Sequence, residues 1–147
     1  MQMTDEIILI LDNITVNKRN GEFAVYKPLL LLIILDMIKN NADNKFAYIE
    51  IRPQLLRVME KYGWQTKGQK QAEYPFLFLA SSVIWEINID PNSLKHKKSP
   101  TAKEMEPAIG KLNDKIYNFL REQPAELEKV KKFLSLKYFG QPGIQII

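Results

Sequence analysis

Between Pro28 and Asp36 the chain reads Leu-Leu-Leu-Leu-Ile-Ile-Leu, an unbroken apolar run. A helix built from such a run is apolar on every face, and only burial on all sides accommodates it. Pro28 suits the first position of a helix, and Asn40-Asn41 ends it after Lys39. The run stops at Asp36, far short of the ~20 residues that span a bilayer. The spacing therefore predicts the central helix of a soluble core, with the other elements wrapped around it.

Those elements follow from periodicity and punctuation. Thr4 and Asp5 are good N-cap types ahead of a helix over Glu6–Ile14. Val16–Phe23 is polar, contains Gly21 and reads as a loop carrying Lys18 and Arg19. Lys45–Ile51 reads as a short strand, although its periodicity is ambiguous. Pro53 opens a helix closed by Gly63, with Leu55, Leu56 and Met59 as its apolar stripe and Val58 at the edge. Trp64–Glu73 is a polar loop. In Val83–Asp90 the residues Val83, Trp85, Ile87 and Ile89 alternate with polar ones, which predicts a half-buried strand. Ser81-Ser82 then forms the tip of a hairpin with Phe76–Ala80. Ser93–Lys103 is a basic loop. Two helices finish the chain, over Leu112–Arg121 and from Pro124 to Gly140. The expected fold class is mainly α with a small antiparallel β-hairpin, an α+β domain around a buried central helix.

A chain of 147 residues with no internal repeat or dividing linker reads as one domain, 1–147. Its composition, 46% apolar and 26% charged, is that of a globule and not of a disordered chain. Cysteine is absent and His96 is the single histidine, which excludes disulfide scaffolds, thiolate zinc sites, cysteine nucleophiles and multi-histidine metal centres. No Walker A, GxGxxG, GxSxG or HExxH pattern occurs. Glu104 and Glu106 are two apart, so on a helix they point to different faces. Asp36 fits a helix-surface carboxylate better than a buried acid, and His96 fits an exposed histidine better than a catalytic one. No general acid–base pair is assembled, and no cofactor or metal is expected. The apolar segment Glu6–Leu11 is short and follows acidic residues, so no export signal is read, and a cytoplasmic protein is expected.

Twenty-one basic against seventeen acidic residues give a net charge of +4, which permits nucleic-acid binding without demanding it. Arrangement says more. Arg19, Lys27, Lys67, Lys70, Lys95, Lys97 and Lys98 all fall in expected loops or at element ends, where phosphate contacts commonly originate. Lys27 immediately precedes the central helix, whose dipole favours an anion at that end. The plain alternative is solvated lysine.

Two motifs in order sharpen this. Tyr26-Lys27-Pro28-Leu29-Leu30-Leu31-Leu32 is followed by Tyr74-Pro75-Phe76-Leu77-Phe78-Leu79 and then Trp85. The pattern resembles the DNA sulfur-binding domain of ScoMcrA-type HNH restriction endonucleases. There a (His)-(Lys/Arg)-Pro-Leu-Leu-Leu-Leu helix start precedes Pro-Phe-x-x-Leu-x-x-Asp-Gly-x-Trp. The helical tail, Leu112–Leu120 and Leu134–Phe139, is similar too, and the resemblance covers residues 16–140. It implies a module that recognises double-stranded DNA carrying a phosphorothioate, in which sulfur replaces one non-bridging phosphate oxygen. It further implies that Tyr74, Pro75 and Phe78 line the sulfur pocket with Tyr26 and Lys27 beside it. Arg19, Lys95, His96, Lys97 and Lys98 would then hold neighbouring phosphates or reach base edges. Tyr26 stands where the family often has His, Phe78 stands where a smaller or more polar residue is expected, Ser82-Val83 replaces the Asp-Gly turn, and lysines replace an expected arginine in the base-reading loop.

The expectation is a non-catalytic DNA reader of modification-dependent restriction and defence, acting with a fused or separate nuclease. An HNH site needs histidines and metal-binding acids together, and with His96 as the single histidine the nuclease half of that family is not expected in this chain. The runner-up is a helical protein–protein adaptor that does not bind DNA.

Overall fold

The structure is a computed structural model. It describes residues 2–14, 16, 18, 19, 22, 23, 25–62, 72–95 and 100–146, with the backbone alone at 18, 19, 22, 23 and 91. The central helix is α2, Tyr26–Lys39. Every residue from Pro28 to Leu35 is buried, as the all-round apolar run requires. The helix starts two residues before Pro28, so the proline lies within the first turn, where its missing N–H has no intrahelical partner to lose. At the other end the Asn40 side chain bonds the Asp36 carbonyl at 2.9 Å. Asn41 then turns the chain away with φ of 68°, a conformation asparagine tolerates.

Around α2 pack α3 (Tyr48–Tyr62), α4 (Glu73–Phe78), α6 (Asp114–Glu122) and α7 (Pro124–Phe139). Helix α1 (Met3–Asp12) lies on α7, tied by Thr4 Oγ1 donating to Glu126 Oε1 at 3.0 Å and by the Lys137–Asp12 ion pair. Asn113 caps α6, accepting from the N–H groups of Lys115 and Ile116. Pro124 opens α7, and Gly140 closes it in the left-handed conformation, φ 68°.

Several expectations are corrected. Only Phe46–Ala47 of the expected Lys45–Ile51 strand is extended, as β3. Helix α3 begins at Tyr48 and carries Pro53 inside it, because Tyr48, Ile51, Leu55, Val58 and Met59 form one buried face at three- and four-residue spacing. Val58 thus belongs to the core stripe, and Leu56 is only partly buried. The expected hairpin through Ser81-Ser82 does not form. Phe76, Leu77 and Leu79 are all buried, which strand alternation forbids, and the segment is α4 followed by a 3₁₀ turn over Leu79–Ser81. Val83 is 69% exposed beside buried Ile84 and Trp85, so the strand, β4, is limited to Trp85–Ile87.

Its partner is the unexpected β5, Ile109–Leu112, which pairs antiparallel with β4 on one side and β3 on the other. The result is a three-stranded sheet in the order β3-β5-β4. The backbone of the expected Val16–Phe23 loop contains two short antiparallel strands, β1 (Lys18–Arg19) and β2 (Glu22–Phe23). The basic loop ends in a short helix, α5 (Ala102–Met105), preceded by a 3₁₀ turn over Pro91–Ser93. Leu112 is the last residue of β5, and α6 starts only at Asp114. The polar stretch 64–73 lies outside the described residues up to position 71, and Glu73 already belongs to α4.

Candidate DNA interface

Helix α4 has six residues and a proline at its third position, and Ala72 before it offers no side-chain cap. A helix this short does not hold itself together in water, so tertiary contacts must fix it. The core supplies them. The Phe76 ring meets Tyr48 and Trp85 edge-on, each with centroids 5.3 Å away. The Trp85 indole N–H donates to the Phe76 carbonyl at 2.9 Å. Glu73 accepts from the Tyr48 hydroxyl at 2.8 Å in a buried bond. With Phe76 and Leu77 turned into the core, α4 leaves Tyr74 outward at 42% exposure. Phe78, one turn further on, is half-buried and sets its ring 4.6 Å from that of Tyr74, tilted by 50°. Pro75 is buried. The outward side of α4 thus carries an aromatic pair, and Pro75 between the two in sequence is withdrawn from solvent.

Tyr26 and Lys27 occupy the first turn of α2, the helix against which α4 packs, and both are half-buried. No acidic residue lies in that turn, whose N–H groups carry the partial positive charge of the helix dipole. Burial holds the Lys27 ammonium below the usual lysine value. A desolvated cation at a helix N-terminus is an arrangement that gains from an arriving anion.

Arg19 lies opposite Glu22 in the β1–β2 ladder. Lys95 is exposed, and its backbone N–H donates to Glu104 Oε2 at 3.0 Å. His96, Lys97 and Lys98 lie outside the described residues, as do Lys67 and Lys70. The structure therefore brings together Tyr74 and Phe78, and packs their helix on the one that begins with Tyr26 and Lys27.

Sequence reasoning missed the groups that hold these elements. Glu104 is half of a capping box with Thr101, and its carboxylate takes the N–H groups of both Thr101 and Lys95. It thereby fixes the two chain ends that flank the basic segment. The Thr-x-x-Glu spacing at the start of α5 was the available signal. Tyr48 and Glu73 gave none, being 25 residues apart. Asp36 is half-buried, with a carboxylate oxygen 3.8 Å from Lys131 Nζ. Among the described residues no group of three His, Asp or Glu side chains is placed to hold a metal ion, and no helix is long and apolar enough to cross a membrane.

Comparison with known proteins bears on the family and the fold. The profile of the ScoMcrA-like DNA sulfur-binding domain family matches residues 4–144. No curated protein matches the chain. Among solved structures, the sulfur-binding domain of ScoMcrA complexed with phosphorothioated DNA superposes with a TM-score of 0.79 at 23% identity, covering 90% of this chain and 87% of that one. The sulfur-binding domain of SprMcrA complexed with phosphorothioated DNA gives 0.74 at 14% identity, covering 94% and 86%. The Type IV phosphorothioation-dependent restriction endonuclease ScoMcrA gives 0.71 at 22% identity, covering 95% of this chain but 25% of that one. The fold is common to all of them, and this chain spans about a quarter of that endonuclease.

Proposed function

The chain belongs to the ScoMcrA-like DNA sulfur-binding domain family, and on that premise we propose that it binds double-stranded DNA through a phosphorothioate without itself catalysing a reaction. The observation that carries this is the Tyr74–Phe78 ring pair, with Tyr74 exposed and Phe78 half-buried, on a helix that packs against α2, the helix that begins with Tyr26 and Lys27. Sulfur is larger, softer and less strongly hydrated than oxygen. An apolar surface accepts it with little desolvation penalty, whereas an oxygen stripped of its water there loses a few kcal/mol. The phosphorus centre stays anionic, and Lys27 beside the α2 terminus supplies the matching charge. Tyr26 stands next to it. Arg19, Lys95, His96, Lys97 and Lys98 contact neighbouring phosphates or base edges, and residues 1–147 act as one binding unit. In modification-dependent restriction, such a reader directs a nuclease carried on the same or a separate polypeptide.

Stereochemistry tests the pocket. Sulfur at one phosphate exists as two diastereomers, and an apolar surface on one side of the backbone faces only one of them. Duplexes carrying a single stereopure phosphorothioate, titrated separately, should give one tight binder and one that behaves like ordinary DNA. Equal binding of both diastereomers would remove the pocket from the account.

A further inference from the structure

Tyr48 and Glu73 have no part in the interface described above, yet they form a buried hydrogen bond at the first residue of α4. The Tyr48 side chain is 1% exposed and Glu73 is 7% exposed. A carboxylate withdrawn from water is unfavourable unless it is partnered, and an apolar residue would pack here without that penalty. Glu73 is the first residue of α4 and immediately precedes Tyr74. The second attachment of α4 lies three residues later, where the Phe76 carbonyl accepts from Trp85. A helix of six residues is therefore pinned from α3 at its start and from β4 at its middle. The residues assigned to the sulfur, Tyr74, Pro75 and Phe78, lie between and just beyond those two pins.

Successive residues are ~100° apart around a helix, so a small rotation of α4 would swing both rings away from a bound phosphate. Pinning residues 73 and 76 removes that freedom before DNA arrives. Binding then loses less to ordering, and the two rings meet the sulfur in one geometry. The hydroxyl is suited to the task. Burial, and then the Glu73 carboxylate, push the Tyr48 pKa above the usual tyrosine range, with Arg52 opposing. Tyr48 thus keeps its proton and remains a donor throughout the neutral range.

We propose that Tyr48, acting through Glu73, is a positioning residue for phosphorothioate recognition: their buried bond sets the orientation of α4 and so the selectivity of the Tyr74–Phe78 surface. This rests on the function proposed above. The test measures affinities for matched duplexes with and without one phosphorothioate, for the parent protein, Tyr48→Phe and Glu73→Gln. Thermal melting and amide exchange of α4 are followed alongside. Tyr48→Phe should remain folded and lose about fivefold to tenfold of the preference for sulfur, the scale of one buried hydrogen bond. Its affinity for ordinary DNA and its salt slope should stay put, and the α4 amides should exchange faster while those of α2 and α7 do not. Glu73→Gln keeps an oxygen acceptor for the hydroxyl and should hold the preference within about twofold.

Three results would overturn the proposal. One is a folded Tyr48→Phe protein with undiminished preference, however much its melting point falls. Another is outright unfolding of Tyr48→Phe, which would make the bond a support of the whole core. The third is an equal loss in Glu73→Gln, which would assign the effect to charge. If the parent protein shows no preference, the function proposed above fails as well, and the exchange data report separately whether Tyr48 holds α4.

Discussion

Phe78 sets its ring 4.6 Å from that of Tyr74, and together the two rings make the apolar surface of α4. On the proposed reading, that surface separates sulfur from oxygen. Phe78→Ala should therefore lower the preference for a phosphorothioate by about tenfold, the scale of one apolar side-chain contact. Phe78→Leu should retain most of it. A gain in preference for the alanine variant, read from paired titrations, would mean that Phe78 fills the pocket instead of lining it. Lys27 is expected to act differently. Lys27→Ala should weaken binding to modified and ordinary DNA alike and flatten the dependence of log affinity on log salt by about 0.9, as one phosphate contact is lost. An unchanged slope would remove Lys27 from the interface.

At the scale of elements, the sheet explains both what the sequence disclosed and what it hid. Helices α2 and α7 are legible because their apolar residues run long and their ends are punctuated by Asn40, Pro124 and Gly140, whereas α1 starts at Met3 and holds Thr4 and Asp5 inside it instead of as caps. Strand β5 is not legible. It has four residues, one of them a glycine, and its ladder is completed by distant side chains. Asn44 takes both backbone groups of Leu112, and Asn88 accepts from the Ile109 N–H. Alternation of Trp85, Ile87 and Ile89 with polar residues marks a strand but not its partner, which begins at Ile109 instead of in the preceding segment. Of the proposed site, Tyr74, Phe78, Tyr26 and Lys27 are readable only as a motif, since the packing of α4 on α2 has no signal in the sequence.

Two predictions belong to these elements. A Cβ on Gly110 would fall inside the indole ring of Trp85, the ring that also anchors α4. Gly110→Ala should lower stability by about 1–3 kcal/mol or more in urea unfolding, and a negligible change would show that Trp85 moves aside freely. The second concerns the α1–α7 contact, where the Tyr138 hydroxyl donates to the Leu11 carbonyl in a buried bond. Burial, and then Asp12, push its pKa up to about 12. The folded state therefore retains a proton that the unfolded state releases near pH ~10, so this contribution is complete below about 10. It declines as the pH rises through 12. Tyr138→Phe should show a shallower loss of stability over that window, and an identical slope would mean that the hydroxyl ionises as freely folded as unfolded.

For the molecule as a whole, a net charge of +4 is modest, and general attraction to DNA is correspondingly weak. On the proposed reading, selectivity comes from one small surface placed by the fold. Helix α2 carries that placement: its N-terminus bears Tyr26 and Lys27, its flank packs α4, and the remaining helices bury it. The most direct measurement is fluorescence anisotropy of two duplexes identical in sequence, one carrying a single phosphorothioate, titrated at the same salt concentration. The modified duplex should bind about tenfold or more tightly, with parallel salt slopes, because the charge is unchanged and only the apolar contact differs. Equal dissociation constants for the two duplexes would contradict sulfur recognition by this chain.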